Sequence, residues 1–172
     1  PTRENDPIKP ASIYAATKFA QEELVRIGCN ATGTDYAILR LQNVYGEGQS
    51  LQNPYTGILS IFSTRIRQGL DLPIFEDGQE TRDFIHVDDI IEANILCALN
   101  PEPFNGSIFN AGTGKAYTGN EIADMFGGNK KYGEKRIEPK NSIAENAKIM
   151  LDLNWKPKNK LKTWINTFTE EN

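Results

Sequence analysis

The chain has little of several things that would point to particular functions. In 172 residues it holds one histidine, His86, and two cysteines, Cys29 and Cys97. One histidine rules out a histidine-based metal cluster, and no metal site is expected. Two cysteines inside or beside apolar helical patterns do not make a disulfide framework. They are expected to be buried free thiols in a reducing, cytoplasmic setting. No apolar run approaches the roughly 18 to 20 residues of a membrane span and no signal peptide opens the chain, so no membrane partner is expected. An excess of positive charge is also missing. The 19 Lys and Arg are outnumbered by 23 Asp and Glu, a net charge of −4, which argues against a general nucleic-acid surface but leaves anion binding by a few placed arginines open. An initiator methionine is missing too. The chain starts at Pro1 and runs into a charged, Pro-containing stretch to Pro10, which reads as an entry in mid-protein.

What is present is ordinary globular material, 38% hydrophobic and 24% charged, which excludes disorder and fibre and suffices for one domain with a sizeable core. The most informative stretch is Ser12-Ile13-Tyr14-Ala15-Ala16-Thr17-Lys18. Ser12 after Pro10 is a candidate N-cap, and Ile13, Ala16, Thr17, Ala20, Leu24 and Ile27 recur at helical spacing up to Gly28, where the helix is expected to end. Tyr14 and Lys18, four residues apart, share a face on the flank of that stripe. An ammonium beside a phenol favours the phenolate, a usable base. The same spacing also arises by chance on a solvated helix, so the pair alone decides nothing.

Farther on, Tyr36–Leu41 reads as a buried parallel strand leading into the Gly-punctuated loop from Gln42 to Gln49. In open α/β sheets that end of a strand is where ligands bind. The polar segment from Gln52 to Thr56 contains Pro54, and helical periodicity returns through Ile58, Ile61, Phe62 and Ile66. Leu72–Phe75 and Phe84–Val87 read as short strands, with Asp88 or Asp89 capping a helix to Leu99. Ser107–Ala111 is a further strand. Thr118–Glu121 and Ser142–Glu145 both fit a capping box, 127–133 reads as a flexible basic loop, 135–138 as a last strand, and Leu161–Phe168 as a closing helix. There is no internal repeat. Alternating strands and helices make an α/β chain with mainly parallel sheet.

Five landmarks come in order: Tyr14-x-x-x-Lys18; Leu39-Arg40-x-x-Asn43-Val44-Tyr45-Gly46; Asp77-Gly78-x-x-x-Arg82-Asp83-Phe84-Ile85-His86-Val87-Asp88-Asp89; Phe109-Asn110-Ala111-Gly112-Thr113-Gly114; and Asn154-Trp155-Lys156-Pro157. This order resembles the extended short-chain dehydrogenase/reductase family, the nucleotide-sugar epimerases and dehydratases. The resemblance implies the C-terminal part of a Rossmann-type parallel sheet plus a small α/β substrate-binding domain. Residues 1–50 would belong to the NAD-binding domain and 51–172 mainly to the substrate domain, with 84–100 returning to the first.

It also implies roles. Tyr14 would be the catalytic base and acid, and Lys18 would bond the nicotinamide ribose of NAD. Leu41 would line the nicotinamide. Asn43 and Arg82 would hold the diphosphate of a UDP- or dTDP-hexose, and Phe75 would pack on its base. Each residue keeps a plainer alternative: Asn43 as a turn residue, Arg82 as a partner of Asp83 or Asp88, Phe75 and His86 as packing, and Arg40 as half of a structural pair. Pairing through the Tyr14 helix would make a homodimer.

The departures matter as well. The family's G-x-x-G-x-x-G turn, its acidic ribose-reading residue and the Ser or Thr ahead of the tyrosine are absent, and all would lie upstream of Pro1. The family's Arg-x-Gly-Asp phosphate motif aligns only loosely with 135–138, where Lys135 or Arg136 could supply a contact. The expectation is therefore the C-terminal portion of an NAD-dependent epimerase acting at C4. The alternatives are a sugar 4,6-dehydratase, a keto-sugar reductase, or an inactive fragment that binds sugar nucleotide.

Overall fold

The structure, a computed structural model, describes residues 1–50, 57–100, 104–134 and 139–170, with side chains to 167. Ser12 caps the first helix as its position predicts: its hydroxyl accepts the Ala15 N–H at 3.1 Å, and α1 spans Ile13–Thr32. The expected stop at Gly28 is overridden. A glycine inside an exposed helix costs only about 1 kcal/mol, whereas Gly33 takes the left-handed conformation at φ 67° that ends the helix. The apolar stripe of α1 is exposed in this chain. None of the 20 residues is buried, and Ile13, Leu24 and Ile27 are 86, 69 and 56% exposed. Beside it β1 (Ala37–Leu41) pairs in parallel with β5 (Ser107–Ala111), Ala37 opposite Ser107.

One residue past β1 begins β2 (Asn43–Tyr45), parallel to β4 (Thr81–His86) with Asn43 opposite Phe84. On its other edge β4 meets β6 (Ala116–Thr118) antiparallel, Arg82 opposite Tyr117, while β8 (Asn141–Ser142) lies in parallel along the same edge as β2, Ser142 opposite Arg82. A third sheet joins β3 (Leu72–Phe75) to β7 (Lys130–Gly133), again in parallel. Among the described residues β4–β6 is the one antiparallel ladder, so the mainly parallel α/β reading holds. The remaining helices are α2 (Ile58–Arg67), α3 (Val87–Leu99), α4 (Gly119–Phe126), α5 (Ala147–Asp152) and α6 (Leu161–Glu170).

Period-two alternation along β2 and β4 divides the interior into two cores. Val44 and Ile85 face a cluster with Phe109, Ala111, Ile149 and Trp155 under α3 and α5. Tyr45 and Phe84 face a cluster with Phe62, Ile74, Ile122 and Ile165 among α2, α4 and α6.

Several local readings are corrected. Val87 opens α3 rather than ending a strand, and the cap is His86, whose Nδ1 accepts the Asp88 N–H at 3.2 Å. Asp89 does other work. It is buried, and its carboxylate accepts the Lys158 and Asn159 backbone N–H groups and the Asn159 amide, while Trp155 Nε1 donates to its carbonyl at 2.9 Å. Thr118 and Glu121 do form a capping box. Ser142 does not, because it lies in β8 and donates to Gln42 Oε1, and α5 starts only after Asn146. Residues 130–133 are not a loop: β3 supplies a long-range parallel partner that local composition cannot reveal. The strand expected at 135–138 lies outside the described residues. Cys29 and Cys97 are unpaired and half-buried rather than fully buried, and burial pushes the Cys97 thiol pKa up.

Asp83, fully buried, accepts the Thr113 N–H (2.9 Å), the Thr113 hydroxyl (2.6 Å), the Gly114 N–H (3.0 Å) and the Ala144 N–H (3.3 Å). Replacing it with alanine strands these donors in the interior. Asp83→Ala is expected to cost about 3 kcal/mol or more, read as a lower urea midpoint with the slope unchanged; a loss below about 1 kcal/mol would contradict this account of the turn.

Candidate functional site

With Asp83 turned toward the Gly112–Gly114 turn, the residues before and after it on β4 point the opposite way. Glu80, Arg82 and Phe84, at alternating positions, line a cleft of about 760 Å³. Asn43 stands beside Phe84 on β2 and Tyr117 beside Arg82 on β6, and both also line it. The start of α2, from Gly57 to Leu59, forms another wall, and the turn after β3 closes the far side with Phe75 and Gly78. That turn needs glycine. Gly78 has φ 70°, and a Cβ there would come within 2.6 Å of Asn120 Nδ2, the amide that donates to the Asp77 carbonyl at 2.8 Å.

Tyr14, on the first turn of α1 and 70% exposed, reaches the same cleft. The cleft therefore brings together Tyr14, Asn43, Phe75 and Arg82. Lys18 and Leu41 are not among its lining residues. The Lys18 ammonium lies 5.8 Å from the Tyr14 ring centre and donates to Gln21 Oε1 at 3.2 Å. Leu41 is half-exposed at the C-terminal end of β1. Lys135 and Arg136 lie outside the described residues. Asn43 Nδ2 donates to the Asp83 carbonyl (3.0 Å) and Arg82 Nη1 to the Thr81 carbonyl (2.8 Å). Arg40 has the structural partner expected of it: Nε and Nη2 each meet a Glu22 carboxylate oxygen at 2.8 Å, and these bonds raise the Arg40 pKa above its ordinary value.

Glu80 and Tyr117 were missed by sequence reasoning. Glu80 is two residues before Arg82, so strand alternation could have found it. Tyr117 comes from the one antiparallel pairing, and no local signal announces that. Among the described residues no group of three or more His, Cys, Asp or Glu could hold a metal ion, and no helix is long and apolar enough to cross a membrane.

The cleft thus has a tyrosine on one wall, with Lys18 beside it outside the lining, and an arginine on another, whose planar fork suits phosphate oxygens. The comparisons are more specific. The family model described as the NAD-dependent epimerase/dehydratase family matches residues 1–112, and the chain belongs to that family.

It is 37% identical over 171 residues to the dTDP-L-rhamnose 4-epimerase of Burkholderia thailandensis, covering 91% of this chain and 47% of that protein. To a putative UDP-glucose 4-epimerase of Methanocaldococcus jannaschii it is again 37% identical, over 96% of this chain and 54% of the relative. A crystal structure of the UDP-glucose 4-epimerase of Thermotoga maritima, with UDP-glucose, superposes with a TM-score of 0.88 at 31% identity. That match covers 99% of this chain and 56% of the other. The chain thus spans about half the length of the relatives it matches.

Beside the cleft, the Tyr45 ring packs edge-on between His86 and Trp164, each 5.1 Å away, and its buried hydroxyl has no partner among the described residues. Burial, then the nearby Asp89, Tyr117 and Glu47, raise its pKa well above the ordinary tyrosine value. A raised folded pKa means a stability contribution that is whole below about pH 10 and lost as pH climbs above it. Tyr45→Phe is therefore expected to leave stability at neutral pH within about 1 kcal/mol and to move the alkaline unfolding midpoint upward. An unchanged or lower alkaline midpoint would contradict the assignment.

Proposed function

We propose that the protein containing this chain is an NAD-dependent nucleotide-diphosphate-sugar 4-epimerase acting on a UDP- or dTDP-hexose through a 4-keto intermediate. The observation that carries the reading is the single cleft lined by Tyr14, Asn43, Phe75 and Arg82. Arg82 is the cation for a diphosphate, with a planar fork suited to phosphate oxygens. Asn43 offers an amide at the same wall, and Phe75 an aromatic face for the base. Holding the nucleotide in the cleft that Tyr14 also lines directs binding energy to the reacting carbon.

The residues present fit one end of NAD. Lys18 uses one of its ammonium donors on Gln21 and has others for ribose hydroxyls, and half-exposed Leu41 offers an apolar edge for the nicotinamide. When bound, NAD supplies the hydride acceptor and donor. Tyr14 removes the proton of the sugar 4-hydroxyl as the ketone forms and returns it after the sugar has turned over, while Arg82 and Asn43 retain the diphosphate.

The same reading divides the chain into two domains. Residues 1–50 and 84–100 go with the NAD-binding domain, and much of 51–172 with the substrate domain. The first core also draws in Phe109, Ala111, Ile149 and Trp155, so more of the C-terminal part returns to it than 84–100. We further place the protein in the cytoplasm, in keeping with two unpaired cysteines. We read it as a homodimer paired along α1, in keeping with exposed Ile13, Leu24 and Ile27.

In the intact protein, Tyr14→Phe is expected to lower epimerisation of a UDP-hexose by about 10³-fold or more while leaving its binding within about threefold. Activity within tenfold of wild type would sink the assignment, and a stable 4-keto product from the wild-type protein would move it to a dehydratase.

A further inference from the structure

Helix α1 buries none of its residues, yet its first turn supplies the phenol that lines the cleft. One part-buried polar contact joins this helix to the strand that leads into the opposite wall. Arg40 on β1 forks onto both oxygens of Glu22 at 2.8 Å, the two side chains being 21 and 19% exposed. Its third corner, Nη1, donates to the Glu4 carbonyl at 2.9 Å. The Glu4 carboxylate in turn accepts the N–H of Asn110, the residue opposite Arg40 in the β1–β5 ladder. The ion pair of Arg26 with Glu23, by contrast, joins two residues of the helix itself, three positions apart on its exposed surface.

Glu22 follows Tyr14 and Lys18 at successive four-residue steps. Each step turns about 40°, so the three lie within an arc of about 80° along about 12 Å of helix. A planar fork fixes direction as well as distance, which a point charge cannot do. We propose that Arg40 is a positioning residue: its fork on Glu22 sets the roll of α1 and so aims Tyr14 and Lys18 at the cleft.

The chemistry rests on the epimerase reading, but the geometry does not. The strand that carries Arg40 continues through Leu41 to Asn43, so one side chain joins the tyrosine helix to the wall it faces. At the roughly 6 Å radius of a helix with its side chains, a 20° roll displaces Tyr14 by about 2 Å. A misplacement of about 1 Å can cost on the order of 10²-fold in rate.

The test uses the intact protein, with steady-state kinetics on a UDP-hexose and fluorine NMR of a ring-fluorinated tyrosine at position 14. Arg40→Gln is expected to lower kcat about 10²-fold with KM within about threefold, and to shift or broaden the position-14 resonance. Arg40→Lys, which keeps the charge and loses the fork, is expected to lose about tenfold and to move the resonance in the same direction. The swap Glu22→Arg with Arg40→Glu should recover part of both effects. A general loss of stability would leave the resonance of the folded form in place.

A resonance unmoved in both single variants, or kcat within about threefold in both, would overturn the proposal. If Arg40→Gln does not fold, Arg40→Lys decides alone. A moved resonance in a protein whose wild type does not epimerise sugars would sink the functional reading and keep the positioning role; an unmoved one in an active enzyme would do the reverse.

Discussion

Burying a carboxylate costs several kcal/mol unless its oxygens are filled with donors, and the fully buried Asp83 meets that condition with four of them, from Thr113, Gly114 and Ala144. The consequences extend along β4. Once Asp83 faces the Gly112–Gly114 turn, alternation sends Glu80, Arg82 and Phe84 to the other face, where they line the cleft. The same alternation gives Ile85 to one core and Phe84 to the other. One buried anion thus fixes which side of the strand is interior framework and which is ligand wall. Asp89 repeats the device one element later, holding Lys158 and Asn159 and, through its carbonyl, Trp155. Motifs far apart in the chain are two halves of one contact: Arg82-Asp83-Phe84 with Gly112-Thr113-Gly114, and Asp88-Asp89 with the segment that begins Asn154-Trp155.

The two walls of the cleft are held in different ways. The β4 wall is set in a packed interior with satisfied polar groups, and so is rigid. The tyrosine wall is a helix capped at its own start by Ser12 and joined to β1 by the Arg40–Glu22 fork. A ligand that touches both walls would couple them.

Much of this was legible in the sequence, because the signals were local. Ser12, the Thr118–Glu121 box and the alternating strands and helices each depend on a few neighbouring residues, and the order of motifs pointed to the family. What was not legible depends on partners far away in the chain. The basic stretch Lys130–Gly133 becomes a strand only because Leu72–Phe75 lies beside it. Tyr117 joins the site only through its antiparallel register with Arg82. Gly28 and Gly33 look alike in sequence, and only the left-handed backbone at Gly33 separates them.

The central claim is that one cleft holds a nucleotide sugar across two walls. The most direct measurement is a crystal structure of the intact protein with a bound UDP-hexose. The account predicts the diphosphate on Arg82, the base against Phe75 and the sugar 4-hydroxyl within hydrogen-bond reach of the Tyr14 oxygen. A nucleotide bound elsewhere, or one in this cleft with its sugar turned away from Tyr14, would contradict it.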